Sequence, residues 1–140
     1  MDALLQAIYG KFTGSTLSTF VGGRIYLDEV PESKSPVTFP YITYQIITGG
    51  YEKTFTEKFT DVLVQVSLFS ASASAVQISA MYNYLTALFD ECTLTITGKT
   101  FYRMHETNLM TTVDDVLVSS STATTTRVKH WAVDYEILFE

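Results

Sequence analysis

The chain has 140 residues, enough for one domain with a core of its own. Hydrophobic residues make up 46% and charged ones 17%, which excludes a disordered chain. A formal net charge of −6 with nine Lys and Arg argues against a protein that grips nucleic-acid phosphates, though not against one past which DNA slides.

Asp2–Phe12 carries Leu4, Leu5, Ile8 and Phe12 on one face, the pattern of an amphipathic helix. Asp2 suits its start and Gly14 its end. Leu17, Phe20 and Val21 suit one more short turn. Gly22-Gly23 then breaks the chain before a short strand, Arg24–Leu27. The segment Val30–Pro40 holds all three prolines and reads as a loop. Tyr41–Thr48 alternates as a strand. After Gly49-Gly50, the charged and strand-compatible run Tyr51–Lys58 reads as a hairpin arm reaching beyond the core.

Phe59–Phe89 reads as one strand running into one helix. Val62, Val64, Val66 and Leu68 share an apolar face, with Leu63, Gln65, Ser67 and Phe69 on the other. Ser74 and Gln77 have capping-box spacing, and Ile78, Met81, Leu85 and Leu88 make the stripe that should cover the Val62 face. Beyond the helix, Leu94 and Ile96 alternate with threonines. Gly98-Lys99 suits a two-residue hairpin that returns through Thr100–Met104. In Thr111–Thr126, nine of sixteen residues are Ser or Thr. Such a run is expected to stay mobile in the free subunit, with Val116, Leu117 and Val118 as a patch awaiting a partner edge. Trp131, Val133, Tyr135, Ile137 and Phe139 alternate as a last strand, with Trp131 expected to be largely buried. The fold class that follows is α+β: a single antiparallel β-sheet, helices packed on one face, and long hairpin or loop arms.

A search for chemistry is nearly empty. His105 and His130 have no cysteine or histidine at ligand spacing, and read as surface or partly buried strand residues. Cys92 stands alone and reads as a small core residue, which excludes an internal disulfide. Asp114 and Asp115 are adjacent, so on a strand they point apart and do not make an acid–base pair. Gly22-Gly23-Arg24 lacks the further glycine and lysine of a phosphate loop. No catalytic residue, metal ligand or cofactor site is expected. Nor is a membrane span or a secretory leader, since no apolar run is long enough and Met1-Asp2 has no basic start. Polar arms on an aromatic-rich acidic domain point instead to assembly.

Three stretches, in this order and spacing, resemble the tail completion proteins of long-tailed phages. Gly22-Gly23-Arg24-Ile25-Tyr26 leads through a proline loop to Phe39-Pro40-Tyr41-Ile42-Thr43-Tyr44. Val62–Phe69 runs through a serine and alanine spacer into a helix. Trp131–Ile137 closes the chain. The resemblance implies a tail terminator: a structural virion protein, made in the host cytoplasm, that forms a homo-oligomeric, hexameric ring. Such a ring caps the tail tube, meets the major tail tube protein and the head connector or stopper protein, and passes DNA without reading its sequence. No catalytic residues or cofactors come with the family. Within this frame the expected subunit contacts are Tyr51, Phe55, Val116, Leu117 and Val118. Another neck, head-closure or minor tail protein is the neighbouring alternative. A small ligand-binding or hydrolase domain is the alternative from another class.

Overall fold

The computed structural model describes residues 2–31, 37–53, 58–119 and 124–140, with the backbone alone for 51–53, 58, 115–119 and 124–126. In chain order the elements are α1 (Asp2–Phe12), α2 (Thr16–Phe20), β1 (Ile25–Leu27), β2 (Tyr41–Lys53), β3 (Lys58–Ser70), α3 (Val76–Phe89), β4 (Phe101–Ser119) and β5 (Thr124–Phe139). The strands form one sheet in the order β1-β2-β3-β5-β4. This is the α+β fold that the residue pattern predicts. Among the expected features it realises is the paired hairpin arm that follows Gly49-Gly50.

β3 sits at the centre because one of its faces is wholly apolar. Val62, Val64, Val66 and Leu68 lie opposite Ile137, Tyr135, Val133 and Trp131 of β5, so both strands present one apolar face to the helices. α3 covers that face with Ile78, Met81, Leu85 and Phe89. Phe89, not Leu88, completes the stripe, because a helix turning 3.6 residues per turn carries Leu88 toward its flank. α1 adds Leu4, Ile8 and Phe12 from the side of β2, where the Phe12 ring meets Tyr44 at 5.4 Å and Phe89 at 4.9 Å. Gly14 ends α1 with φ +74, and Ser15 caps α2 by accepting from the Ser18 amide at 3.1 Å. Gly22 and Gly23, both in the left-handed region, then turn the chain into β1.

Several expectations are corrected. β1 runs parallel to β2, with Ile25 opposite Ile42. The long connection 28–40 can carry the chain back to the starting end of the sheet, as a parallel pair requires. Arg24 clips that connection, donating from Nε to the Pro40 carbonyl at 2.9 Å. Its centre, 32–36 with Pro36, lies outside the described residues. The Ser74–Gln77 capping box does not form. Gln77 Oε1 instead accepts from the hydroxyl of Ser70, a fully buried group at the end of β3. A buried hydroxyl loses more by going unpaired than an exposed helix start does.

The Gly98-Lys99 hairpin is also absent. Leu94 and Ile96 are buried, but residues 92–96 run without a ladder. Their expected partner strand is taken by β5, whose apolar alternation is far longer. Thr111–Thr126, expected to be mobile, is instead laddered wherever it is described: Asp114 pairs with Val128, Val116 with Thr126 and Leu117 with Thr125. Ladder bonds join backbone groups and need no apolar side chains, and β-branched Thr and Val favour the extended backbone. Trp131 is partly buried and packs against the core. It lies at the end of the sheet where α3 begins, and its ring meets Tyr82 edge-on at 6.0 Å.

Candidate assembly surfaces

The helices cover one face of the sheet and leave the other without a second layer among the described residues. That open face has distinct zones. At one end lies a row of rings. Phe39 and Tyr26 flank Tyr41 at 5.3 and 6.5 Å, Tyr41 stacks on Phe69 at 4.5 Å, and Phe69 stacks on His130 at 4.3 Å. His130 Nδ1 faces Asp114 Oδ2 at 3.5 Å, and its buried Nε2 has no hydrogen-bond partner. The centre of the face is polar. Gln65 Nε2 donates to Asp134 Oδ1 at 3.1 Å, and Gln45 Nε2 approaches Gln65 Oε1 at 3.5 Å. The far end carries the exposed Arg103–Glu136 pair at 3.2 Å, which contributes little to stability.

Two hairpin arms extend from this sheet. The first pairs Thr48–Lys53 with Leu63–Lys58, and its ladder places Tyr51 opposite Thr60. The tip, 54–57 with Phe55, lies outside the described residues. The second arm carries Val116 and Leu117 in register with β5, with the ladder slipping one residue at Val118. The structure therefore divides the predicted contact residues between two separate arms, with β3 of one arm pairing along β5 of the other through Thr60 and Phe139.

Sequence reading missed two features. One is the aromatic row, whose signal was present in Tyr41 and Phe69: both alternate onto the strand face opposite the apolar one. The other is the outer side of β4, where Leu109, Met110 and Val113 are 37%, 52% and 60% exposed. Residues 108–110 were given no element, and so their exposure could not be anticipated.

The helix side holds polar groups without catalytic arrangement. Tyr82 donates from its hydroxyl to both oxygens of Glu106, at 2.6 and 2.9 Å. That hydrogen bond, followed by burial, raises the Tyr82 phenol above its ordinary pKa. Asp90 Oδ1 accepts from the Glu106 amide at 3.0 Å, tying the end of α3 to β4. Cys92 is half buried, its thiol pushed up by burial, and its Sγ approaches Met104 Sδ at 3.7 Å. Among the described residues no group of three or more His, Cys, Asp or Glu could hold a metal ion. No described helix is long and apolar enough to cross a membrane.

A family model for tail completion protein gp17 matches residues 6–140. The chain belongs to that family. It is a structural protein of the tail of a phage-like virion. The fold is similar to that of a chain in the virion of a native gene transfer agent particle, with a TM-score of 0.63 and 14% identity over 94% of this chain and 92% of that one. A search of curated proteins by sequence gives no significant match.

Proposed function

We propose that this tail completion protein is a tail terminator, its 140 residues acting as one domain. Six copies form a ring on the end of the tail tube, stop its growth and present a surface to the head connector. DNA passes through the lumen. The observation that carries the reading is the family match over nearly the whole chain. Two paired arms on a sheet with an open face support it, since they give each subunit several places to meet its neighbours. The net charge of −6 supports a lumen that repels phosphates and lets DNA move without sticking.

Tyr51 and Phe55 on the first arm, and Val116, Leu117 and Val118 on the second, are the proposed contacts between subunits or with the tube and connector. An aromatic anchor in a desolvated pocket is worth about 2 kcal/mol or more. Phe55→Ala is therefore expected to leave the subunit folded and to weaken capping. The decisive experiment adds the purified protein to growing tail tubes and images them by electron microscopy. Rings at one tube end with arrested growth are expected. Binding to heads alone would move the protein to the head side of the neck, and decoration of tube walls would remove the terminator role.

A further inference from the structure

Helices on the surface of a domain ordinarily turn charged residues toward solvent. α1 follows this rule, with Asp2 in its first turn and Lys11 in its last. α2 and α3 do not. Residues 12–23 and 70–89 contain no Asp, Glu, Lys or Arg, in a chain whose charged residues are 17% of the total. Charge returns next to both stretches in sequence, at Lys11, Arg24, Asp90 and Glu91. The two helices pack together, and the Phe20 ring tilts against that of Tyr84 at 5.4 Å. These rings are not core residues: Phe20 is 36% exposed and Tyr84 38%, while Val76 at the start of α3 is 75% exposed. Between the helices Ser15, Thr16, Leu17, Tyr84, Ala87 and Leu88 line a groove of about 180 Å³. Aromatic rings among uncharged residues, with the charges set outside them, are the composition of the buried centre of an interface.

The absence of charge also says which partner fits. A partner of opposite sign is steered and held by charges placed to meet its own. The acidic residues that would hold a basic partner are present in this chain, but residues 12–23 and 70–89 contain none of them. A second copy carries the same −6. Two such copies approach closely only where acidic groups are not brought face to face, since like charges opposed across an interface are costly. A neutral helix face meets that condition on its own side of the contact.

We propose that the outer face of α2 and α3, centred on Phe20 and Tyr84, is buried against a second copy of this chain. The inference rests on the ring reading above. It gives that ring a contact on the body of the domain, separate from the two arms. In a ring the contact is head-to-tail, so the face meets a different surface of the next copy and every subunit is joined on two sides.

The test uses the full chain, alone and on tail tubes. Photoreactive benzoylphenylalanine in place of the exposed Ala87 should give, on illumination, a ladder of covalent multimers up to the size of the ring. In parallel, Asn83→Glu with Ala87→Glu should keep the circular dichroism and melting temperature of the parent. Its self-association, read by sedimentation, should weaken about a hundredfold, because the contact would bury charges without partners. Thr95→Glu with Thr97→Glu adds the same charge at exposed positions off the face and should leave association near that of the parent. Crosslinking that stops at a dimer, with both ends in the α2–α3 face, keeps the face as a contact between copies and overturns the ring reading alone. A parent ring that gives no adduct between copies, and that forms equally well with Asn83→Glu and Ala87→Glu, overturns the inference and leaves the ring. Adducts to the tube protein alone overturn it as well. A parent that stays monomeric both in solution and on tail tubes overturns the contact and the ring together.

Discussion

Single residues show how far burial departs from pattern. Trp131 occupies the apolar face of β5 and packs against the core, but it is not fully covered. Trp131→Ala is expected to cost about 1–2 kcal/mol, less than a core aromatic would. Met81→Ala, at a site with no exposure, should cost about 2–5 kcal/mol. Urea melts of the two variants decide the order, and a larger loss at Trp131 would mean that the indole is covered. Tyr135 is the opposite case. It is fully buried, and its hydroxyl has no hydrogen-bond partner. Burial pushes its phenol far above the ordinary range, and the nearby Glu106 charge adds to this. Burial likewise raises Tyr41 and Tyr44. A raised folded-state pKa means that the fold favours the neutral phenol. The contribution is intact below the unfolded value of about 10 and is lost as pH climbs through the folded value. Stability should therefore fall above about pH 10. Ultraviolet titration should show a group of tyrosines, Tyr135 among them, that ionise only as the chain unfolds; a single smooth titration of all nine would contradict this.

At the scale of elements, the two arms are ladders of backbone bonds more than packed units. The pairing of the second arm with β5 continues to Ser119 opposite Thr124. Expecting mobility there from composition alone weighed side-chain burial and left out main-chain bonding. Amides of Val116 and Leu117 are thus expected to be protected from hydrogen exchange in the free subunit, though less than those of Val64 and Val66 in the buried central strand. Exchange at the unprotected rate in the free subunit, with protection gained only in the particle, would restore the order-on-docking view. α3 belongs at the same scale. At its start Ser74 Oγ accepts from the Val76 amide at 3.2 Å and not from that of Gln77, and the Gln77 side chain is committed to Ser70. Gln77→Ala should leave the buried Ser70 hydroxyl short of a partner and cost about 1–3 kcal/mol, more than the loss of an exposed helix cap box residue would suggest. Thermal melting of Gln77→Ala beside Ser74→Ala separates the two: a larger shift for Ser74→Ala would favour the capping box.

For the whole molecule, the controlling quantity is charge. Each subunit carries −6, so packing several around one axis opposes assembly unless salt screens the repulsion. Raising ionic strength from about 0.01 to about 0.1 M shortens the Debye length from about 30 to about 10 Å. Ring formation by the pure protein should strengthen over that interval, as read by sedimentation at fixed protein concentration. Weakening with salt would instead point to joints held by ion pairs across the interface.

Periodicity alone located most of the fold. The apolar faces of β3 and β5 and the stripe of α3 were legible, because strand and helix spacing put those residues on one side whatever the partners are. The arm around Gly49–Lys58 was legible as well, from strand-compatible residues that no core position could use, and so were most of the residues around which the family resemblance was drawn. Pairing was not legible. Only the folded sheet decided that β5, and not 93–97, accompanies β4, that β1 lies parallel to β2, and that Gln77 serves Ser70. It alone left Leu109, Met110 and Val113 bare on an edge and brought Tyr41, Phe69 and His130 into one row. The physical reason is range. The periodic side-chain pattern is a property of neighbouring residues, whereas pairing and exposure are competitions between distant segments for the same hydrogen-bonding edge and the same helix cover.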